Sequence, residues 1–206
     1  TTEIYTLSLH DALPISTAVP PVRTNISRKP RIGIIGRISS RLRLDWLAEV
    51  AARTASFEWV FVGDVEEGEL LDADRPHLAK LQSLGNCVFA GPKPYTDLRE
   101  QAGTLDIAVL PYSERSVNPC ASPMRLFIHL AFGTPILATP GCDMLERYDP
   151  LVKTCRSANE LLAALRLLEF GGFDDGLRED RWREAGKHNW TLRAQTLLPA
   201  FLGEAV

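Results

Sequence analysis

SPMRLFIHLAFGTPILATP, residues 122–140, reads as a helix followed at once by a buried strand. Ser122 is a residue type that caps helix N-termini, and Pro123 suits the first helical position, where its missing N–H costs nothing. Gly133 then ends the helix as a left-handed cap. Residues 135–139 (PILAT) form a short apolar run of the kind found in buried parallel strands. Just upstream, DIAVLP at 106–111 is another such run.

The alternation continues outward in both directions. RIGIIG at 31–36, FEWVFVG at 57–63 and residues 86–91 read as strands, and a weak strand follows at 151–154. Between them, 42–53 carries Leu44, Leu47 and Val50 near helical spacing, and 76–84 and 95–102 read as further helices. A short helix is expected around 144–147, and terminal helices at 159–170, 176–187 and 191–202. Strands alternating with helices at this spacing imply a parallel sheet covered on both faces. The fold class is therefore α/β, a doubly wound Rossmann-like domain over residues 31–206. Such domains bind ligands at the carboxyl ends of their strands.

The composition is that of an ordinary globular chain, 45% hydrophobic and 24% charged. A net charge of -3 gives no support to a nucleic-acid partner, and no apolar run reaches the roughly 20 residues of a membrane-spanning helix. Cys87, Cys120, Cys142 and Cys155 are scattered, without the close pair that zinc or redox chemistry would need. Cys87 and Cys155 lie in or beside apolar stretches, while Cys120 lies in a polar loop. The pattern fits a reducing cytoplasm, either free or at the inner face of the membrane.

Residues 1–16 stand apart. They resemble a translated DNA sequencing adapter, in which GCT CTT CCG ATC T gives Ala12-Leu13-Pro14-Ile15 and begins Ser16. A secretory signal is disfavoured by His10 and Asp11 and by the lack of a basic start. On this reading the natural N-terminal part is missing and residues 1–16 are expected to be poorly ordered. Residues 17–30, rich in Pro, Ser and Thr, read as a linker.

A helix starting at the end of a strand is a ready anion site, because its first amides lack intrahelical partners. At 122–125 the alternative is a well-capped crossover helix and nothing more. Here a resemblance enters. The segment is similar to the Ser-Pro-x-Lys-x-Phe-Glu-Tyr-x-Ala-x-Gly-x-Pro signature of GT-B glycosyltransferases, in the retaining group that includes sucrose-synthase-like and mannosyltransferase-like enzymes. RIGIIGRISS, FEWVFVGD, NCVFAGPKPYTDL, DIAVLPY and NWTLRAQTLL resemble further pieces of the same donor-binding half, in the same order.

The resemblance implies roles. Gly36 and Arg37 would face a donor diphosphate, together with Ser122, Pro123, Met124 and Arg125; Arg41 and Arg43 would assist or be plain solvated charges. Arg125, where the family has lysine, would reach a phosphate or decorate the helix. Gly91, Pro94 and Tyr95 would lie near the nucleobase, unless Tyr95 merely packs at a helix start. Asn118 and Cys120 would lie near the donor sugar. Two positions depart from the family: Ile128 replaces a glutamate that accepts hydrogen bonds from the donor ribose, and Cys120 replaces an acidic residue near the sugar. His129 as a substitute ligand is disfavoured, since one step along a helix turns the side chain by about 100°.

The expected function is hexosyl transfer from a nucleotide-diphosphate sugar to a sugar or glycan acceptor bound on a missing N-terminal domain. The resemblance implies no cofactor and no metal, and it assigns no catalytic residue within this chain. Two alternatives remain: a sugar-nucleotide epimerase, and a degenerate binding module favoured by Ile128. A dinucleotide-dependent dehydrogenase is disfavoured, because Gly33-x-x-Gly36 is not the Gly-x-Gly-x-x-Gly fingerprint.

Overall fold

Six apolar runs become strands: β1 (Arg31–Ile35), β2 (Glu58–Val62), β3 (Cys87–Gly91), β4 (Ile107–Leu110), β5 (Ile136–Ala138) and β6 (Val152–Thr154). The computed structural model describes residues 28–115 and 118–188, apart from the side chains of residues 95 and 96. Residues 1–16, most of the linker and the helix expected at 191–202 lie outside the described residues. The strands form one parallel sheet in the order β3-β2-β1-β4-β5-β6.

Successive strand residues point to opposite faces, and both faces are apolar. Ile32, Ile34, Trp59, Phe61, Ile107, Val109 and Leu137 enter one core cluster. There they meet α1 (Leu44–Ala52), α2 (Arg75–Ser83) and α6 (Ala158–Phe170). Ile35, Val60, Val62, Ala108, Leu110, Ile136 and Ala138 face the other side. That side is covered by α3 (Tyr95–Gly103), α4 (Met124–Phe132), the short α5 (Asp143–Glu146) and α7 (Arg178–Gly186). The sheet is thus doubly wound, as its pattern implied. Two 3-10 turns, Glu67–Glu69 and Asn118–Cys120, were not expected. Among the described residues, no helix is long and apolar enough to cross a membrane.

The start of α4 corrects one expectation. Ser122 does not cap the helix: the N-cap position is Pro123, at φ -74° and ψ 107°, with no side-chain cap hydrogen bond. Proline's ring holds φ near -65° in either placement, so only the extended ψ decides, and it leaves Pro123 outside the helix. The far end behaves as expected, with Gly133 left-handed at φ 63° and its amide donating to Leu130 O at 2.9 Å.

Polar groups taken into the interior are satisfied where they carry structure. Trp59 Nε1 donates to Thr54 Oγ1 at 3.0 Å, and that hydroxyl donates to Val50 O at 2.8 Å. Arg28 and the Arg31 amide both bond Asp106 at the start of β4, at 2.8 and 2.7 Å. On α7, the Arg181 side chain is 1% exposed. Its Nε donates to Leu151 O at 2.7 Å and its Nη1 to Asp175 Oδ1 at 2.7 Å, while Nη2 bonds the other carboxylate oxygen. Burial raises the Asp175 carboxyl, but the hydrogen bonds and charge of Arg181 outweigh it and hold the group below its ordinary value.

Removing Arg181 leaves the Asp175 carboxylate and the carbonyls of Leu151 and Gly133 without their guanidinium donor. Arg181→Ala is expected to lower the unfolding free energy by about 3–5 kcal/mol. Arg183→Ala, in an exposed pair on the same helix, should change it by less than about 1 kcal/mol. Urea denaturation of both variants checks this, and equal effects would refute it.

Candidate functional site

The strand order reverses between β1 and β4, and a cleft opens there at the carboxyl ends of the two strands, where doubly wound sheets bind ligands. Its volume is about 360 Å³, and its walls come from 36–42, Tyr112 and 121–125. All six residues expected to face a diphosphate, Gly36, Arg37, Ser122, Pro123, Met124 and Arg125, line it. Ser39, Leu42, Tyr112 and Ala121 also line it and were not singled out.

Two glycines let the walls come together. Gly36 has φ 113°, and a Cβ there would lie 2.3 Å from the Arg125 guanidinium. Gly63, at φ 151°, would place a Cβ 2.3 Å from Gly36 O. The loop after β1 is then pinned on both sides. Ile38 N donates to Asp64 O at 2.8 Å, Arg43 N to Pro111 O at 2.7 Å, and Ser113 N to Arg41 O at 2.8 Å.

Asn118 completes this tie. It is fully buried; Nδ2 donates to Arg41 O at 2.7 Å and Ser113 O at 2.9 Å, and Oδ1 accepts from Arg41 Nε at 2.8 Å. Its polar atoms are committed to joining the loops after β1 and β4. Cys120 is an exposed free thiol at the end of the same 3-10 turn and does not line the cleft.

The two arginines of the cleft differ in kind. The Arg37 side chain is 60% exposed and lies 3.4 Å from Glu66 Oε1. Arg125 is turned inward, its guanidinium 5.3 Å from the centre of the Tyr112 ring. Its Nη1 is buried, and among the described residues it has neither a hydrogen-bond partner nor an acidic side chain paired with it. Burial pulls the guanidinium below its ordinary value; Tyr112 opposes this and the positive Arg41 adds to it. Arginine nevertheless stays charged in proteins. Next to it, the Met124 and Arg125 amides have no acceptor among the described residues, because the first helix-start bond is Leu126 N to Pro123 O at 3.0 Å.

The remaining expected positions lie elsewhere. Gly91 closes β3, Pro94 is the N-cap of α3 and Tyr95 its first residue. They sit at the carboxyl end of a strand two places from β1, beyond the cleft lining. Ile128 is 4% exposed and packs with Ile35, Val60, Val62, Ala102 and Leu105. His129 is fully buried, and neither ring nitrogen has a partner among the described residues. Burial, reinforced by the Arg125 charge, lowers its pKa to about 3. Among the described residues, no three His, Cys, Asp or Glu side chains converge as metal ligands would.

Two outcomes follow from these placements. His129 is neutral in the folded chain and titrates near 6.5 when unfolded, so protons bind the unfolded state preferentially between those values. Its contribution to stability is complete above about pH 6.5 and is lost as pH falls toward about 3. Acid titration of the melting temperature should show this loss, and His129→Leu should flatten it; an unchanged profile would refute it. Separately, Ile128→Glu would bury a carboxylate in an apolar cluster, with an expected cost of about 3 kcal/mol or more. Denaturation against wild type tests it, and a neutral result would mean that the side chain reaches the cleft.

No protein-family model matches the chain. Over 109 residues it is 27% identical to TuaH of Bacillus subtilis strain 168, described as a teichuronic acid biosynthesis glycosyltransferase; the match covers 52% of this chain and 26% of that protein. Among solved structures, sucrose-phosphate synthase from Thermosynechococcus elongatus superposes with a TM-score of 0.71 at 15% identity, over 94% of this chain and 52% of that one. A glycosyltransferase from Rickettsia africae gives 0.69 at 15% identity, over 85% and 48%. Anabaena HepE, solved with UDP and glucose, gives 0.67 at 14% identity, over 85% and 48%. The chain spans about a quarter of the curated relative and about half of these solved chains. Its fold is that of one half of a GT-B glycosyltransferase.

Proposed function

We propose that the cleft binds the diphosphate of a nucleotide sugar, and that the chain is the donor-binding half of a glycosyltransferase. The observation that carries this is Arg125, a half-buried cation whose Nη1 is buried and unpartnered and which has no acidic partner among the described residues, lining a cleft beside two open helix-start amides. An uncompensated buried charge is costly, and a bound anion would compensate it. The HepE structure contains UDP in a chain of the same fold, which supports a nucleoside diphosphate as that anion.

The chemistry asked of these residues is modest. When a sugar leaves a diphosphate for an acceptor hydroxyl, negative charge grows on the diphosphate. Fixed amides and a guanidinium already in place can stabilise it without reorganising. Arg37, exposed at the rim, would pair with an outer phosphate oxygen, since its planar fork suits phosphate geometry. Gly91, Pro94 and Tyr95 would border the base, and the sugar would lie toward the turn carrying Asn118 and Cys120. Asn118 would act there by holding the loops, its side-chain atoms being already engaged. The acceptor would be held by a second half that this chain does not span, so the chain alone would bind the donor without transferring a hexosyl group.

Burial of Ile128 favours one further reading, a binding module that has lost the ribose contact. Calorimetric titration with UDP, GDP and ADP separates the two. Saturable binding of one of them is expected, weakened about 10- to 100-fold by Arg125→Ala, as for loss of charged hydrogen bonds, and less by Arg37→Ala. No binding of any of the three to folded protein would overturn the donor-site proposal.

A further inference from the structure

His129 has no role in the site as described, yet among the described residues it is the one with two buried side-chain nitrogens lacking a partner. Among the described residues neither ring nitrogen has a partner, both being buried, and the same holds for Arg125 Nη1. The two residues lie four apart on α4, which makes them neighbours on one helical face. Helical side chains lean toward the helix N-terminus, so His129 leans over the turn that carries Arg125. The ring is neutral at physiological pH and therefore offers one acceptor nitrogen and one donor N–H. Three orphaned polar atoms within one turn of a buried helix need an intermediary, and an internal water with two or more polar partners is the usual one.

We propose that His129 is a positioning residue for the anion cleft: a buried water accepts from Arg125 Nη1 and donates to the acceptor nitrogen of His129, tying the guanidinium to the floor of the site. The inference rests on the reading of the cleft as a diphosphate site. From below, the guanidinium is held by this water. Gly36 leaves the space beside it and Tyr112 supplies a ring near it. Its remaining N–H groups are then aimed at the cleft before any ligand arrives, and little binding energy goes into arranging them.

The test is pyrophosphate binding, by calorimetry, to the full chain and to two variants. His129→Leu removes the acceptor and should weaken binding about tenfold, the size of one ordinary hydrogen bond's net contribution. His129→Gln restores an acceptor and a donor at similar reach and should return affinity to within about threefold of wild type. A purely packing role would give no such rescue, so equal affinities for wild type and His129→Leu, or failure of His129→Gln to recover, overturns the proposal. Wild-type protein that binds no pyrophosphate overturns the cleft reading itself and this inference with it. If His129→Leu does not fold, a high-resolution crystal structure decides: density joining Arg125 Nη1 to the His129 ring supports the proposal, and none refutes it.

Discussion

The close approach of Gly36, Gly63 and Arg125 is the constraint on which the cleft depends. A side chain at residue 36 would occupy the space of the guanidinium, and one at residue 63 would strike the carbonyl of Gly36. Their absence lets the ends of β1 and β2 lie side by side and lets a cation from α4 fold in above them. The remaining features of the site are arranged around that contact. Backbone hydrogen bonds pin the loop after β1 to those after β2 and β4, and Asn118 bolts the loop after β4 to the backbone of Arg41. The groups that line the cleft therefore sit on paired strands and anchored loops.

Much of this fold was legible in the sequence because its physics is local. Apolar runs of four to six residues, closed by Gly or Pro and separated by amphipathic stretches, mark strands and crossover helices. The described elements fall within a residue or two of where those runs place them. Strand order was less accessible: parallel neighbours are separated by whole helices, so no local pattern says that β1 sits between β2 and β4. The start of α4 shifted by one residue because Ser122-Pro123 satisfies helix-start preferences in two registers, and only the extended ψ of Pro123 separates them.

The site was legible where it follows from strand ends and a helix start, which is why Gly36, Arg37 and residues 122–125 converge. What stayed hidden depends on contacts between distant segments. Asn118 looked like a sugar neighbour, and its role as a tie requires knowing that residues 41 and 113 meet. The missing carboxylate at Ile128 could be noticed, but not that the isoleucine fills an apolar gap between β1, β2 and α3. Tyr112 ends a strand in the sequence, and only the fold brings it near the Arg125 guanidinium.

The unequal exposure of the two cleft arginines would divide the kinetics of the proposed anion between them. Arg37 projects into solvent beside Glu66, so its field reaches an approaching ligand but fades over roughly 8 Å at physiological ionic strength. Arg125, half-buried and turned inward, would act mainly at contact. Capture would then be the more salt-sensitive half of the process and residence the less salt-sensitive half. In such a site the rate of arrival would respond to the ionic composition of its surroundings, while the lifetime of what has arrived would be set by the interior of the protein.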